Sequence, residues 1–287
     1  FKLLEQARQN NDEETAKQLN ELGLVYQAQG RYDEAIEKSD EALSIGEKTI
    51  GKEHPEYAIR LNNLGEVYRV QGRYNEAIEK YEEALRIIKK HLGELHPNYA
   101  SSLNNLASVY KAQGRYDEAI EKLEEALSID EKTIGKEHPA YATRLNNLAL
   151  VYQDQGRYDE AIEKYEEALS IDEKTIGKEH PEYAKHLNNL AGVYVALGKY
   201  EIAEKFITEA KNIRERTLGK EHIDFALCIW WIADLLFRQS KFDEALQKYE
   251  EALRLYNKVL GKNHPHTQNL ISQMEICREE FEKSKGK

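Results

Sequence analysis

The stretch "LNNLASVYKAQGRYDEAIEKLEEALSIDEKTIGKEHP" (103–139) decides the fold, because the chain says it again. At 145–181 it reads "LNNLALVYQDQGRYDEAIEKYEEALSIDEKTIGKEHP". Leu61, Leu103, Leu145 and Leu187 stand 42 residues apart, and the period reaches back to Leu19 and forward to Ile229, giving six copies. A partial seventh starts near Ile271. The copies occupy 16–57, 58–99, 100–141, 142–183, 184–225 and 226–267. Residues 1–15 align with the end of a preceding second helix or form an N-terminal cap, and 268–287 form a C-terminal capping helix with a charged tail that frays.

Each copy reads as two helices. In 54–72, Pro55 stands near the first helical position, where its missing N–H costs nothing, and Gly72 closes the helix. The second helix spans 73–93 and stops at Gly93. Apolar residues recur at three- and four-residue spacings in both, the signature of amphipathic helices. One such pair cannot bury its apolar seam, whereas stacked pairs bury it continuously. The expected fold is therefore all-α, an α-solenoid of stacked antiparallel helix pairs. Counting from Ala58 as position 1, position 8 is Gly or Ala (Gly65, Ala107), position 20 is Ala (Ala77, Ala119), and position 17 is Tyr or Phe (Tyr74, Phe242). Small residues facing large ones let helices approach closely.

This pattern of Leu, Gly/Ala, Tyr, Gly, Tyr, Ala and Ala resembles the tetratricopeptide repeat. The long form, with "LNNLA", "QGRYDEA" and "EALSIDEKTIGKEHP", is similar to the kinesin light chain type. The resemblance implies a right-handed superhelix with a concave wall built mainly from first helices, and an extended peptide or protein bound there. A carboxylate clamp known from this fold needs a basic residue at position 5 of one copy and basic residues at positions 2 and 6 two copies later; positions 5 and 6 are asparagines here, so chaperone-tail binding is not expected. The second helices are more acidic than the resemblance implies, and the motor-binding coiled coil is not in this sequence.

At about 100° per residue, positions 4, 7, 8 and 11 of the first helix form the core side, and 2, 5, 6, 9, 12 and 13 form a polar stripe opposite. Copies three and four differ at seven of 42 positions. A random spread would put about one difference on the stripe, yet four fall there: Ser101/Thr143, Ser108/Leu150, Lys111/Gln153 and Ala112/Asp154. The stripe is thus the candidate working face. Asn20, Asn62, Asn104, Asn146 and Asn188 hold position 5, where an amide could grip a peptide backbone as donor and acceptor. The alternative is that they hydrogen-bond neighbouring helices. Sequence preference would come from Glu66, Arg69, Lys111, Gln153, Asp154 and Lys185.

In the sixth copy the two asparagines become Trp230 and Trp231, the protein's two tryptophans. Three readings stay open: an aromatic anchor for a ligand, burial beneath the last helix as a terminal cap, or a homodimer joined through these rings.

Other chemistry is not indicated. The histidines of the "KEHP"-like turns, His54 to His264, recur at helix starts and stand too far apart to share one ion; His264 and His266 would make at most a weak surface site. No phosphate loop or nucleophile grouping is present, so neither an enzyme nor a cofactor is expected. The net charge of −11, from 41 basic and 52 acidic residues, argues against nucleic acid and anionic membranes as partners. No apolar run approaches the roughly 18 residues of a membrane span. Two cysteines form no framework, which fits a reducing, cytoplasmic setting. The start at Phe1 reads as a piece of a longer protein with further repeats before it. The expected function is a protein-interaction scaffold; the rivals are a structural or self-associating spacer and the sensor arm of a larger signalling protein.

Overall fold

The computed structural model describes the backbone of residues 2–285 and the side chains of residues 12–285. Among the described residues all regular structure is helical, and the chain divides into two units, 1–136 and 137–287. The first unit holds α1 (Lys2–Ala28), α2 (Tyr32–Thr49), α3 (Pro55–Val70), α4 (Tyr74–Leu92), α5 (Pro97–Ala112) and α6 (Tyr116–Thr133). The second holds α7 (Pro139–Asp154), α8 (Tyr158–Thr175), α9 (Pro181–Ala196), α10 (Tyr200–Thr217), α11 (Ile223–Arg238), α12 (Phe242–Val259) and α13 (Pro265–Lys285). Within each unit a helix packs chiefly on its neighbours in sequence, as stacked helix pairs must.

Helix ends follow the sequence closely. His54 Nδ1 accepts a hydrogen bond from Glu56 N at 3.1 Å, satisfying an amide that the helix itself leaves orphaned. His96, His138, His180 and His222 cap α5, α7, α9 and α11 in the same way. At the other end of α3, Arg73 N donates to Tyr68 O and Gly72 N to Arg69 O, with Gly72 at φ +81°, a left-handed Schellman stop. The sixth copy breaks the rule: Ser240 takes that conformation at φ +59° without being glycine.

Residues 2–15 belong to α1, the first helix of the described chain. They continue α1 without a turn, because no Gly or Pro interrupts "KLLEQARQNNDEETA". At the other end, α13 is helical as far as Lys285, and residues 286–287, where the expected fraying would fall, lie outside the described residues.

The core is the small-against-large pattern made solid. Tyr81 and Tyr165 are fully buried against their first helices. A Cβ on Gly65 would meet the Tyr81 ring at 2.9 Å, so glycine lets that ring close in and its hydroxyl donate to Glu66 Oε2 at 3.2 Å. Opposite Tyr165 stands Ala149, and the Tyr165 hydroxyl instead donates to Gln153 Oε1 at 3.1 Å. Burial pushes both phenols well above their usual range.

Between successive pairs runs a polar seam at position 3 of the first helices, buried in the form of Arg60, Ser102, His186 and Cys228. Arg60 pairs with Glu13 of α1. The His186 Nδ1 lies 2.7 Å from an Asp172 carboxylate oxygen, both side chains being buried. Arg214 Nη1 lies 3.2 Å from Cys228 Sγ and donates to Asp224 O at 3.0 Å. Cys228 and Cys277 are both free thiols.

Candidate functional site

In the first unit the polar stripe is knit to itself. Asn62 Nδ2 donates to Ser102 Oγ at 2.8 Å, and Asn63 Nδ2 donates to Asn20 Oδ1 at 3.0 Å. Arg69 forks onto Glu66 through two hydrogen bonds of 2.6 and 2.7 Å, and these hold the guanidinium pKa above its ordinary value. Asn104 and Lys111 lie half-buried on α5.

The second unit corrects the amide grip at two positions. Asn146 is 0% exposed and Asn188 2% exposed, so neither side chain can reach a ligand backbone. Both work between helices. Asn146 Oδ1 accepts from Asn189 Nδ2 at 2.8 Å, and Asn188 Nδ2 points to Cys228 Sγ at 3.5 Å. The physical reason is that position 5 sits at the flank of its helix, where the next first helix closes over it. An asparagine there satisfies a buried joint.

Gln153, on the same stripe, is engaged by Tyr165. The Lys111/Gln153 difference between copies therefore accompanies the Leu123/Tyr165 difference in the core, and reports packing as well as surface. Asp154 and Lys185 are exposed, Lys185 pairing with Glu182 at 3.0 Å.

The two tryptophans are half-buried and go separate ways. Trp230 meets Tyr256 edge-to-face, with ring centroids 5.7 Å apart and planes at 86°, and joins the cluster that α11 forms with α12 and α13. Burial pushes the Tyr256 phenol up to about 12. Trp231 leans the other way, onto α9, where a Cβ on Gly192 would lie 3.3 Å from its Cη2. It packs against the cluster of Ala191, Val195, Ala203, Ile207 and Leu235. The terminal-cap reading therefore accounts for part of Trp230 and not for Trp231.

Between them opens a cavity of about 280 Å³, lined by Leu227, Trp230, Trp231, Asp234 and Arg238 of α11 and by Gln273 of α13. Arg238 Nε donates to Asp234 Oδ2 at 3.3 Å across its mouth. Leu227, Asp234 and Arg238 hold positions 2, 9 and 13, so the stripe rule already covered them. Gln273 holds position 6 of the partial seventh copy. The cavity offers indole surface for apolar or planar groups with an acceptor and a donor at the rim. Among the described residues no group of three His, Cys, Asp or Glu could hold a metal ion; His264 and His266 stack at 5.2 Å, with His264 Nδ1 accepting from His266 N. Among the described residues no helix is long and apolar enough to cross a membrane.

The tetratricopeptide repeat model matches residues 14–90, 61–132, 98–174, 140–216 and 225–285. A solved putative kinesin light chain with nearly identical TPR-like repeats, from Podosopora anserina, is 32% identical over 70% of this chain and 95% of its own, with a TM-score of 0.58. BtubC (BKLC) from P. vanneervenii shares 22% identity over 80% of this chain and 92% of its own, at a TM-score of 0.64. The Rap protein complexed with Competence and Sporulation Factor is 16% identical, covering 92% and 75%, at a TM-score of 0.59. The last two show the fold alone. Nothing among the curated proteins matches. The repeat is in general a non-enzymatic protein-interaction fold. With its repeats matched nearly end to end, the chain belongs to the tetratricopeptide repeat family, and its solved neighbours include kinesin light chain-like members.

Proposed function

We infer that the chain is a scaffold that binds a peptide segment or partner protein on the wall of its first helices, anchoring it in the cavity between Trp230 and Trp231. The observation that carries this reading is the cavity itself. It combines half-exposed indoles with a rim donor and acceptor, on the stripe where the other copies carry asparagines. Aromatic anchors of this kind dominate binding energy where they line a pocket. The Rap protein complexed with Competence and Sporulation Factor offers a parallel for a similar fold holding a partner.

A phage-displayed library of random peptides, selected on the chain, tests the reading. Retained clones are synthesised and titrated against tryptophan emission, which reports this site alone because both tryptophans line it. The expected result is a saturable change in emission and at least a roughly tenfold loss of affinity in Leu227→Glu, a substitution on a half-exposed residue. Clones that bind without moving the emission, and that bind Leu227→Glu equally well, would place the binding surface elsewhere.

A further inference from the structure

Two copies carry an acid at position 9 of the first helix, Glu66 and Asp234, and the two are used differently. In α3, Glu66 accepts hydrogen bonds of 2.6 and 2.7 Å from Arg69 and one of 3.2 Å from the Tyr81 hydroxyl. In α11, Asp234 accepts a single one from the described residues, at 3.3 Å from Arg238 Nε. Side-chain length accounts for the difference. Tyr249 takes the place of Tyr81 in the sixth copy and is fully buried, but an aspartate is one methylene shorter than a glutamate. Position 12, from which Gln153 accepts the Tyr165 hydroxyl, is Phe237 in this copy and offers no acceptor. The Tyr249 hydroxyl is thus left without a partner among the described residues. Burial drives its phenol well above the usual range, and the Asp234 charge nearby adds to that.

Asp234 is therefore an under-used carboxylate, and it lines the indole cavity. Its one partner holds it loosely: the Arg238 side chain is 54% exposed, and single i,i+4 contacts of this kind are weak. An apolar ligand group would shut Asp234 away from water behind that one bond, which is unfavourable. An acidic group would bring a second negative charge beside it. A cation gives the carboxylate a charge-assisted partner and is attracted by indole faces. The net charge of −11 also favours the approach of basic ligands.

We propose that the cavity takes a basic side chain of the bound peptide, arginine ahead of lysine, which replaces Arg238 on Asp234. The proposal rests on the cavity being the anchoring site and names what it anchors. A guanidinium suits it better than an ammonium, because its flat face lies against indole while its edge pairs with a carboxylate. The Tyr249 hydroxyl is a further acceptor close by for its N–H groups. Leu227 stands about 10 Å from Asp234 along α11 and meets the ligand residue beside the basic one. Leu227→Glu is then a loss of apolar contact, its charge largely screened at that distance.

The probes are two terminally blocked pentapeptides, otherwise serine, one with leucine second and residue X fourth and one with that order reversed. Each is titrated to millimolar concentration against tryptophan emission. With arginine as X, saturation is expected in at least one order. Citrulline, uncharged but of the same shape, should bind at least roughly fivefold more weakly. Asp234→Asn should erase that difference, and far-ultraviolet circular dichroism checks that the variant keeps its helices. Arg238→Gln, at an exposed side chain, should tighten the arginine probe about twofold. Saturation with glutamate or phenylalanine as X but not with arginine, weakened by Leu227→Glu, overturns the basic side chain and leaves the cavity as the anchor. No response to arginine in either order, or equal binding of citrulline, overturns it as well; the phage selection then decides separately whether the cavity anchors a peptide.

Discussion

Gly192 is the floor on which Trp231 rests, and substitutions there should change sign with size. The residue lies in the interior of α9 with no unusual backbone, so glycine is destabilising there by about 1 kcal/mol relative to alanine. A Cβ would sit 3.3 Å from Trp231 Cη2 and 3.4 Å from Gln153 Nε2, close enough that each must yield by a few tenths of an ångström. Both neighbours are half-exposed and able to move that far. Gly192→Ala should therefore stabilise the second unit by about 0.5–1 kcal/mol. Gly192→Leu cannot be absorbed so cheaply and lifts the indole from its cluster. If about 100 Å² of ring is re-exposed at about 25 cal/mol/Å², the loss is about 2.5 kcal/mol. Helix propensity offsets about 1 kcal/mol of that, so net destabilisation is about 1–2 kcal/mol. Urea unfolding followed by tryptophan emission measures both changes, and iodide quenching of the folded state should rise only in the leucine variant. Equal stability of the two variants, with unchanged quenching, would refute the idea that Gly192 seats Trp231.

Three further outcomes follow from the same geometry. Ser240→Gly should stabilise by about 0.5–1 kcal/mol, since it removes a non-glycine residue from φ +59°, and an unchanged urea midpoint would deny the strain. His180→Ala should cost about 1 kcal/mol by orphaning Glu182 N, whereas His180→Asp retains the cap; equal midpoints for the two would show that the cap contributes nothing. Asp172→Ala leaves His186 buried without its partner and should destabilise by about 2–4 kcal/mol. A loss of only a few tenths, the size of a surface change, would count against that pair.

Most of the frame was legible because it repeats. Pro55 and its equivalents start helices, Gly72 and its equivalents stop them, and position 20 is always alanine, so periodicity alone places elements and core. What escaped were positions whose environment depends on the neighbouring repeat. Viewed down one helix, Asn146 and Asn188 stand opposite the core; in the stack, the adjacent first helix covers them. Position 3 escaped for another reason. Arg60, Ser102, His186 and Cys228 share no chemistry, and their common burial is invisible to an apolar pattern. The tryptophans were legible as exceptions. Their split, one ring onto Tyr256 and the other onto Gly192, depends on a missing side chain two helices away.

The seam has a consequence for function. A stack of near-identical pairs could be shuffled if every joint were the same, but these joints are not interchangeable. Gly46 has no room for a Cβ because Arg60 fills that space on its way to Glu13. Asp172 suits His186, and Arg214 suits Cys228. Setting Arg214 against His186 would bury a guanidinium with no carboxylate to pair with it, a cost of several kcal/mol that apolar packing could not offset. Buried polar pairs thus fix the order of helices within each unit more firmly than the shared leucines and alanines do. Fixing that order also fixes the order of side chains along the wall: in the second unit Gln153, then Lys185, then the cavity of Leu227, Trp230 and Trp231. A ligand laid across that wall therefore meets one defined succession of side chains, and its affinity should depend on the direction and register in which it lies.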